Sequence, residues 1–480
     1  MGMGMKARVK NIIKKMLKGA LSAAPISAKR KSIMLYELGM RRKLHYLRRD
    51  VAPEMRKTLV AQYKKVSCET SDETFERQFQ ALRARYKKVY IVKNNLLNIG
   101  PMCDLYLSLC LLLENCAPDE KVVLLLYDVA TPVYDEDHPR IANAWLLYKI
   151  KQLVEVIDVK KAPLWGYIVE KHRDFCCFDS ADPFGRVKYP DREKMLHQKV
   201  NRYPSKRYLS FSDEERQRGE KALRDMGLTE KKYFCFFSRN NEYHEMYFDN
   251  QGTEMAAQTA VRNSSVEDFV TAIRRLHLPE LRAVRVGAMD SRRVEGDMIL
   301  DYTNTCRDAF MDFFLMGHAK FFLGDASGIG CIPWLMNIPQ AITNNFSIFW
   351  CSAEYYNYNS TMNFTIYKKW WDRSKARYLT LEEILSISWK YGITDEDELR
   401  LYNQLGIEFH PNTPEEIADF LYEMNLRVDG KWQEEEEVAL LREKFWTLVN
   451  EAMRKAPPEI ALWDYEPGGL FLKRNKWWLS

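Results

Sequence analysis

Apolar and polar positions alternate along this chain in two successive runs of strand and helix. In the first run, residues 89–93 read as a short strand and 94–101 as a turn. An apolar helix over 102–115, a strongly apolar strand over 121–127, a helix over 143–153 and a strand over 154–159 follow. Residues 160–205 are rich in aromatics, prolines and charges, and show little period. The second run begins near Phe211. Ser212-Asp-Glu-Glu215 places acidic side chains in the first turn of a helix that Gly227 closes. Strand 233–237, a long polar segment over 238–263, helix 264–276 and strands 283–286 and 298–300 come next. Helix 307–317, strand 320–323, a glycine-rich turn, helix 331–336 and strand 340–343 complete the run. Thr413 caps a helix over 414–425, and 434–453 reads as another helix before a tail rich in aromatics.

Strands alternating with helices predict mostly parallel sheets with ligands at the carboxyl ends of the strands. With 480 residues the chain exceeds one ordinary core. The expected division is a basic helical extension over 1–65, a first Rossmann-like unit over 85–205, a second over 210–425, and a helix and tail over 426–480. Two such units facing one another would place a site in the cleft between them.

Charge changes that picture at one end only. Residues 1–65 carry 18 Lys or Arg against 3 Asp or Glu, which is +15; with a total of +6, the rest stands at −9. Val9, Ile12, Ile13, Met16 and Leu17 recur at helical spacing with Lys10, Lys14, Lys15 and Lys18 opposite them. A basic amphipathic helix of this kind suits the surface of an anionic membrane, or packs on the body of the protein. Nucleic acid is the less suitable partner, because the segment lacks interleaved aromatics for base stacking. The ten cysteines include no Cys-x-x-Cys pair and no apolar run reaches the length of a membrane span, so a reducing cytoplasm is the expected setting.

The chemistry concentrates in the second unit. Gly324-Asp-Ala-Ser-Gly-Ile-Gly330 joins a buried strand to a helix whose start Pro333 fixes. Gly328 and Gly330 allow a ligand to approach the backbone, and free amides at a helix start favour an anion. Arg239 follows strand 233–237 directly, and Arg285 precedes Gly287 in the next strand. Guanidinium groups at neighbouring strand ends can grip a diphosphate through paired hydrogen bonds. Each arginine could instead pair with a carboxylate such as Asp301 or Asp312. Asp135 and Asp137 resemble an Asp-x-Asp metal motif but sit in a polar turn, and His138, His244, His318 and His410 lack metal-ligand spacing, so no metal or other cofactor is expected.

The segment Tyr233-Phe-Cys-Phe-Phe-Ser-Arg-Asn-Asn-Glu-Tyr-His244 resembles the strand–Arg–Asp–x–x–Tyr signature of a bacterial glycosyltransferase family encoded in surface-polysaccharide gene clusters. Further blocks match in order: Arg262-Asn-Ser-Ser-Val-Glu-Asp-Phe269, Val284-Arg-Val-Gly287, Asp301-Tyr302, the 324–330 turn and Asn412-Thr-Pro-Glu-Glu-Ile417. Weaker echoes lie at Ile99-Gly100 and Ile141-Ala-Asn143, and the likeness spans roughly 88–475. It implies an α/β fold of the GT-B type, distantly similar to fucosyltransferases, and a metal-independent transfer from a nucleotide-diphosphate sugar to a glycan or lipid-linked glycan. It also implies a donor site built from Arg239, Asn240, Tyr243, Arg285, Gly287, Asp301, Ser327 and Gly328, with Gly100 facing the acceptor and Arg239 and His244 as catalytic candidates. The chain departs from the pattern at Asn240, where the family has Asp; at Asp325, where it has Thr; and at Pro101, where it has His. Asp325 would repel a diphosphate unless it points away. A nucleotide-sugar epimerase, or a non-catalytic carbohydrate- or partner-binding protein on the same scaffold, are the competing expectations.

Overall fold

Short strands form two parallel sheets. The computed structural model describes residues 73–92, 96, 98–127, 141–159, 175–177, 207–240, 242, 261–288, 292–350, 362–388, 402–455, 461–462 and 465–480. The basic stretch over 1–65, the Asp135–Asp137 turn, Tyr243 and His244 lie outside these residues.

The described residues fall into two compact units. One holds helix α1 (Glu73–Arg85) and a four-stranded sheet of β1 (Lys88–Val92), β2 (Glu120–Tyr127), β3 (Glu155–Val159) and β4 (Cys176–Cys177). Its order is β3-β2-β1-β4 and every pairing is parallel. Val89, Val122 and Val123 are buried in it, as the apolar run over 121–127 predicts.

The other unit holds α2 (Ile99–Asn115, apart from its last residue), α3 (Ala144–Leu153) and the described chain from 207 onward. Its sheet has seven parallel strands, built from β5 (Tyr233–Phe237), β6 (Arg282–Arg285), β7 (Ile299–Leu300), β8 (Phe322–Asp325), β9 (Gln340–Asn345), β10 (Asn363–Tyr367) and β14 (Glu466–Pro467). The order is β14-β10-β9-β8-β5-β6-β7. The helices are α4 (Asp213–Asp225), α5 (Val266–Leu276), α6 (Ala309–His318), α7 (Cys331–Met336), α8 (Leu381–Ser388), α9 (Pro414–Val428), α10 (Glu436–Lys455) and α11 (Gly469–Arg474). A small antiparallel sheet, β12-β11-β13 (Arg377–Tyr378, Lys369–Asp372, Ile407–His410), completes the unit.

Local chemistry sets the helix ends. Ser212 and Thr413 each close a capping box, with Glu215 and Glu416 reaching back to the cap amide. Asp308, not Arg307, starts α6: its carboxylate accepts from the amides of Phe310 and Met311, which leaves Arg307 outside the helix.

The sequence pattern puts α2 and α3 in the 85–205 unit, but both pack with the larger one. Trp145 of α3 stacks on Phe211, touches Phe310 and Phe313, and donates from its indole to Glu215 at 2.8 Å. Lys149 bonds the same carboxylate at 3.0 Å. Asn143 caps α3 by accepting from the Leu146 amide, and its side chain donates to the Ala309 carbonyl. At the start of α2, Gly100 meets Gly328 backbone to backbone: a Cβ on Gly100 would lie 3.0 Å from Gly328 Cα.

Candidate functional site

The carboxyl ends of β5, β6 and β8 open onto one cavity of about 330 Å³, all of whose wall belongs to the larger unit. Each strand brings its own chemistry. Beyond β5 come Ser238, Arg239 and Asn240; beyond β6 come Val286 and Gly287; beyond β8 come Ser327 and Gly328. Arg262 before α5, Arg285 at the end of β6 and Arg307 before α6 add three more guanidinium groups. Asn98, Ile99 and Pro101 from the start of α2 and Ala142 before α3 close the rest.

Arg239 is buried at 4 % exposure, as is Arg285 beside it at 3 %. Its amide donates to Asp325 at 2.7 Å and its guanidinium bonds the Asn263 side chain. Burial pushes its pKa down to about 9, Arg262 adds to the fall, and Asp325 opposes it. A cation held out of water beside a second cation is an electrostatic cost that a bound anion relieves.

Asp325 does not point at that anion. It is fully buried and accepts from the Arg239 amide, the Ser264 hydroxyl, Thr343 Oγ1 (2.9 Å) and Asn344 Nδ2 (2.8 Å). Burial raises its pKa, opposed by the bonds from the Arg239 amide, Ser264 and Asn344 and by the charge of Lys368. This carboxylate therefore organises the strand ends from beneath.

Arg285 and Arg307 are each backed by a carboxylate. Arg285 Nη1 lies 3.5 Å from Asp301 Oδ2 and donates to the Arg292 carbonyl at 2.6 Å. Asp301 is not on the cavity wall but stands behind Arg285. It also accepts from the Val294 amide and Asn304, so it fixes the Arg285 loop. Arg307 bonds Asp312 through Nε (3.3 Å) and Nη2 (3.0 Å). Asp312 is on the wall; its pKa is raised by burial, with Arg307 opposing, and Asn143 and Tyr302 also hydrogen-bond it.

Glycines shape the wall by necessity. Gly287 has φ +136° and a Cβ there would lie 2.9 Å from the Phe237 ring. A Cβ on Gly328 would lie 2.9 Å from the Gly100 amide nitrogen. Gly100 thus serves as the packing partner of the Gly328 turn and is not itself on the wall.

Two wall hydroxyls, Ser238 Oγ and Ser327 Oγ, are buried with no hydrogen-bond partner among the described residues. Buried hydroxyls without a protein partner are acceptors and donors left for a ligand or water. Asn240 also lines the cavity, with its side chain accepting from the Glu242 amide at 3.2 Å.

Of the residues singled out from sequence, Arg239, Asn240, Arg285, Gly287, Ser327 and Gly328 therefore meet at one cavity, Asp301 and Gly100 stand behind it, and Tyr243 and His244 lie outside the described residues. Ser238, Arg307, Asp312 and Thr303 were not legible as wall residues; Arg262 had a signal only as part of a matching block. Among the described residues no group of three or more His, Cys, Asp or Glu is placed to hold a metal, and no helix is long and apolar enough to cross a membrane.

No family model matches the chain, and no curated protein matches it. Among solved structures it is similar to the ADP-heptose LPS heptosyltransferase II of E. coli, at 12 % identity and a TM-score of 0.36, over 66 % of this chain and 98 % of that one. A glycosyl transferase of family 9 from Veillonella parvula aligns at 11 % identity and 0.36, over 67 % and 97 %. The dodecameric iron-containing heptosyltransferase TibC, in complex with ADP-D-β-D-heptose, aligns at 11 % and 0.30, over 72 % and 77 %.

Proposed function

We propose that the protein is a glycosyltransferase of the GT-B type, which moves a hexosyl or deoxyhexosyl group from a nucleotide-diphosphate sugar to a glycan or lipid-linked glycan acceptor of the cell surface. The observation that carries this reading is the set of four arginines on one cavity at the carboxyl edge of a parallel sheet, with Arg239 buried and its pKa depressed. Such an edge is where open α/β sheets bind ligands.

In glycosyl transfer the bond from the anomeric carbon to the diphosphate oxygen breaks as the acceptor oxygen bonds to carbon, and negative charge grows on the departing diphosphate. Arg239, Arg262 and Arg285 supply fixed positive charge for it, with the Ser238 and Ser327 hydroxyls as further donors. Fixed donors of this kind contribute on the order of 3 kcal/mol each. The arginines take the charge-neutralising part that a divalent ion plays elsewhere, so turnover persists in a chelator. The basic stripe of residues 1–21 holds the enzyme on the inner face of the cytoplasmic membrane, where removal of those residues abolishes binding to anionic vesicles.

The deciding experiment is a thermal-shift screen with GDP-, UDP-, dTDP- and CMP-sugars, repeated on Arg239→Ala. A diphosphate sugar should stabilise the wild type and not the variant, whose own melting point stays near that of the wild type. Donor consumption without transfer to any acceptor would move the reading to the epimerase. Stabilisation by free glycan and by no nucleotide sugar would move it to a binding scaffold.

A further inference from the structure

Asp312 is the one carboxylate on the cavity wall among the described residues, and it is bonded to Arg307. The two groups meet side-on, with Arg307 Nε 3.3 Å from Oδ1 and Nη2 3.0 Å from Oδ2. The contrast is with Arg285, whose backing acid Asp301 stays behind the wall, so that only the guanidinium of that pair faces the cavity. At Arg307 both partners face it. The arginine side chain is 34 % exposed and the aspartate 9 %, so the donor is the more open of the two.

The pair is held in place from behind. Tyr302 donates to Asp312 Oδ1 at 3.1 Å and Asn143 to Oδ2 at 3.4 Å. Asn143 is itself fixed, because it also donates to the Ala309 carbonyl at 2.9 Å and accepts from the Leu146 amide at 2.8 Å. Ala142 and Thr303, the chain neighbours of Asn143 and Tyr302, lie on the wall. A guanidinium and a carboxylate are thus presented together at a fixed geometry, between the starts of α3 and α6.

Such a pair suits a sugar hydroxyl better than a phosphate. An ionised phosphate oxygen only accepts, and a carboxylate on the same wall repels it where water screens poorly. A hydroxyl both donates and accepts, so it can take a hydrogen bond from Arg307 and give one to Asp312. The pair carries no net charge, so it adds little to the pull on a distant anion.

Resting on the donor reading above, we infer that Arg307 and Asp312 form the subsite for the sugar ring of the donor and select an uncharged sugar by one of its hydroxyls, while Arg239, Arg262 and Arg285 hold the diphosphate. A sugar that lacks this hydroxyl leaves polar groups of the wall unmatched, and one with a carboxylate in its place meets Asp312.

The test is calorimetry with matched ligands: ADP, GDP, UDP and dTDP, each alone and as its glucose, galactose, mannose, fucose and rhamnose esters. For the nucleotide sugar that binds, Arg307→Met should weaken affinity about tenfold while the affinity of the parent diphosphate stays within about twofold. Asp312→Asn should weaken the same nucleotide sugar and spare the diphosphate. Equal weakening of both ligands would place Arg307 on the phosphates, and no weakening of either would mean that it does not reach the ligand; each result overturns the inference. So does a wild type that binds a diphosphate and none of its sugar esters. Should both variants fail to fold, wild-type binding of deoxyfluoro analogues of the accepted sugar decides, because fluorine cannot donate to Asp312. One ring position should then cost about tenfold, and equal affinity at every position overturns the inference. No binding of any diphosphate or nucleotide sugar defeats the donor reading, and this one with it.

Discussion

Two clusters of buried charge in the larger unit make opposite use of the same physics. Behind the sheet, Glu423 of α9 is fully buried, and its two oxygens accept from the Gly469 and Leu470 amides at 2.9 Å each, while Arg427 pairs with it at 2.8 Å. Glu416, one further buried carboxylate of that helix, takes Lys369, Asn475 and the Thr413 amide. These acids tie α9 to the tail, and their lone pairs are filled by the protein. At the carboxyl edge of the sheet the charges line a cavity instead. Four arginines face it, two of them backed by Asp301 and Asp312, and the Ser238 and Ser327 hydroxyls on its wall have no partner among the described residues. A buried charge enclosed by its partners is part of the architecture; cations that line a cavity make a place for an anion.

The sharpest test of that contrast is Glu423→Ala. It leaves two buried amides without their acceptor and Arg427 with only Glu434 at 3.3 Å, so it should cost about 3–5 kcal/mol in urea unfolding and leave nucleotide affinity unchanged in the folded fraction. An unaffected midpoint would mean the tail is not held by this carboxylate. Arg239→Met should do the reverse, weakening diphosphate binding by about 2–4 kcal/mol in calorimetry while moving the unfolding free energy by less than about 1 kcal/mol. Equal losses in both measurements would place Arg239 with Glu423 as structure.

Gly328→Ala bridges the two behaviours. Its Cβ would lie 2.9 Å from the Gly100 nitrogen, where backbone meets backbone and neither can give easily. Overpacking of this sort costs about 1–3 kcal/mol of stability, and here it should also weaken diphosphate binding. Wild-type stability with wild-type binding would show that α2 moves away from the turn without consequence.

Acid–base behaviour offers a smaller signal. Lys368 and Arg239 hold their protons less tightly folded than unfolded, being pushed to about 8 and about 9. Above the folded value the unfolded chain binds more protons, so the ligand-free protein gains stability as pH rises through about 8 to 9. The gain attributable to Lys368 is about 1 kcal/mol over that span, seen as the difference between wild type and Lys368→Met. A difference between the two proteins that stays constant from about pH 8 to about pH 9 would break the electrostatic account. The smallest effect belongs to Ser238→Ala. The hydroxyl has no partner among the described residues, so stability should hold, while diphosphate binding weakens by about 0.5–1.5 kcal/mol. No change in binding would mean that Ser238 does not reach the ligand.

Much of the second sheet is legible in the chain, because several of its strands are short apolar runs bounded by polar residues or glycine. β5, β6, β8 and β9 fall within a residue or two of where the apolar pattern puts them, and the Thr413 cap needs no context. Arg239, Ser327 and Gly328 could be read for the same reason: the edge of a parallel sheet places the residue after each strand beside its neighbours. The strand over 363–367 and the small sheet beyond it were not legible, since buried polar residues such as Asn363 and Thr365 interrupt the apolar run.

The orientation of each site residue was settled only by tertiary contact. Asp325 reads as a threat to a phosphate until Thr343 and Asn344 are seen to turn it inward. Asp301 reads as a ligand contact until Arg285 claims it. Lys368 and Asn263 stand 105 positions apart in sequence, yet share one hydrogen bond beneath Arg239. By itself, the sequence determined which residues end the strands and therefore which charges could gather at the sheet's carboxyl edge, because strand period and helix caps act over a few residues. The tertiary structure alone decided which of those charges are spent on one another and which face the cavity, because pairing across strands depends on the order in which the sheet is laid down.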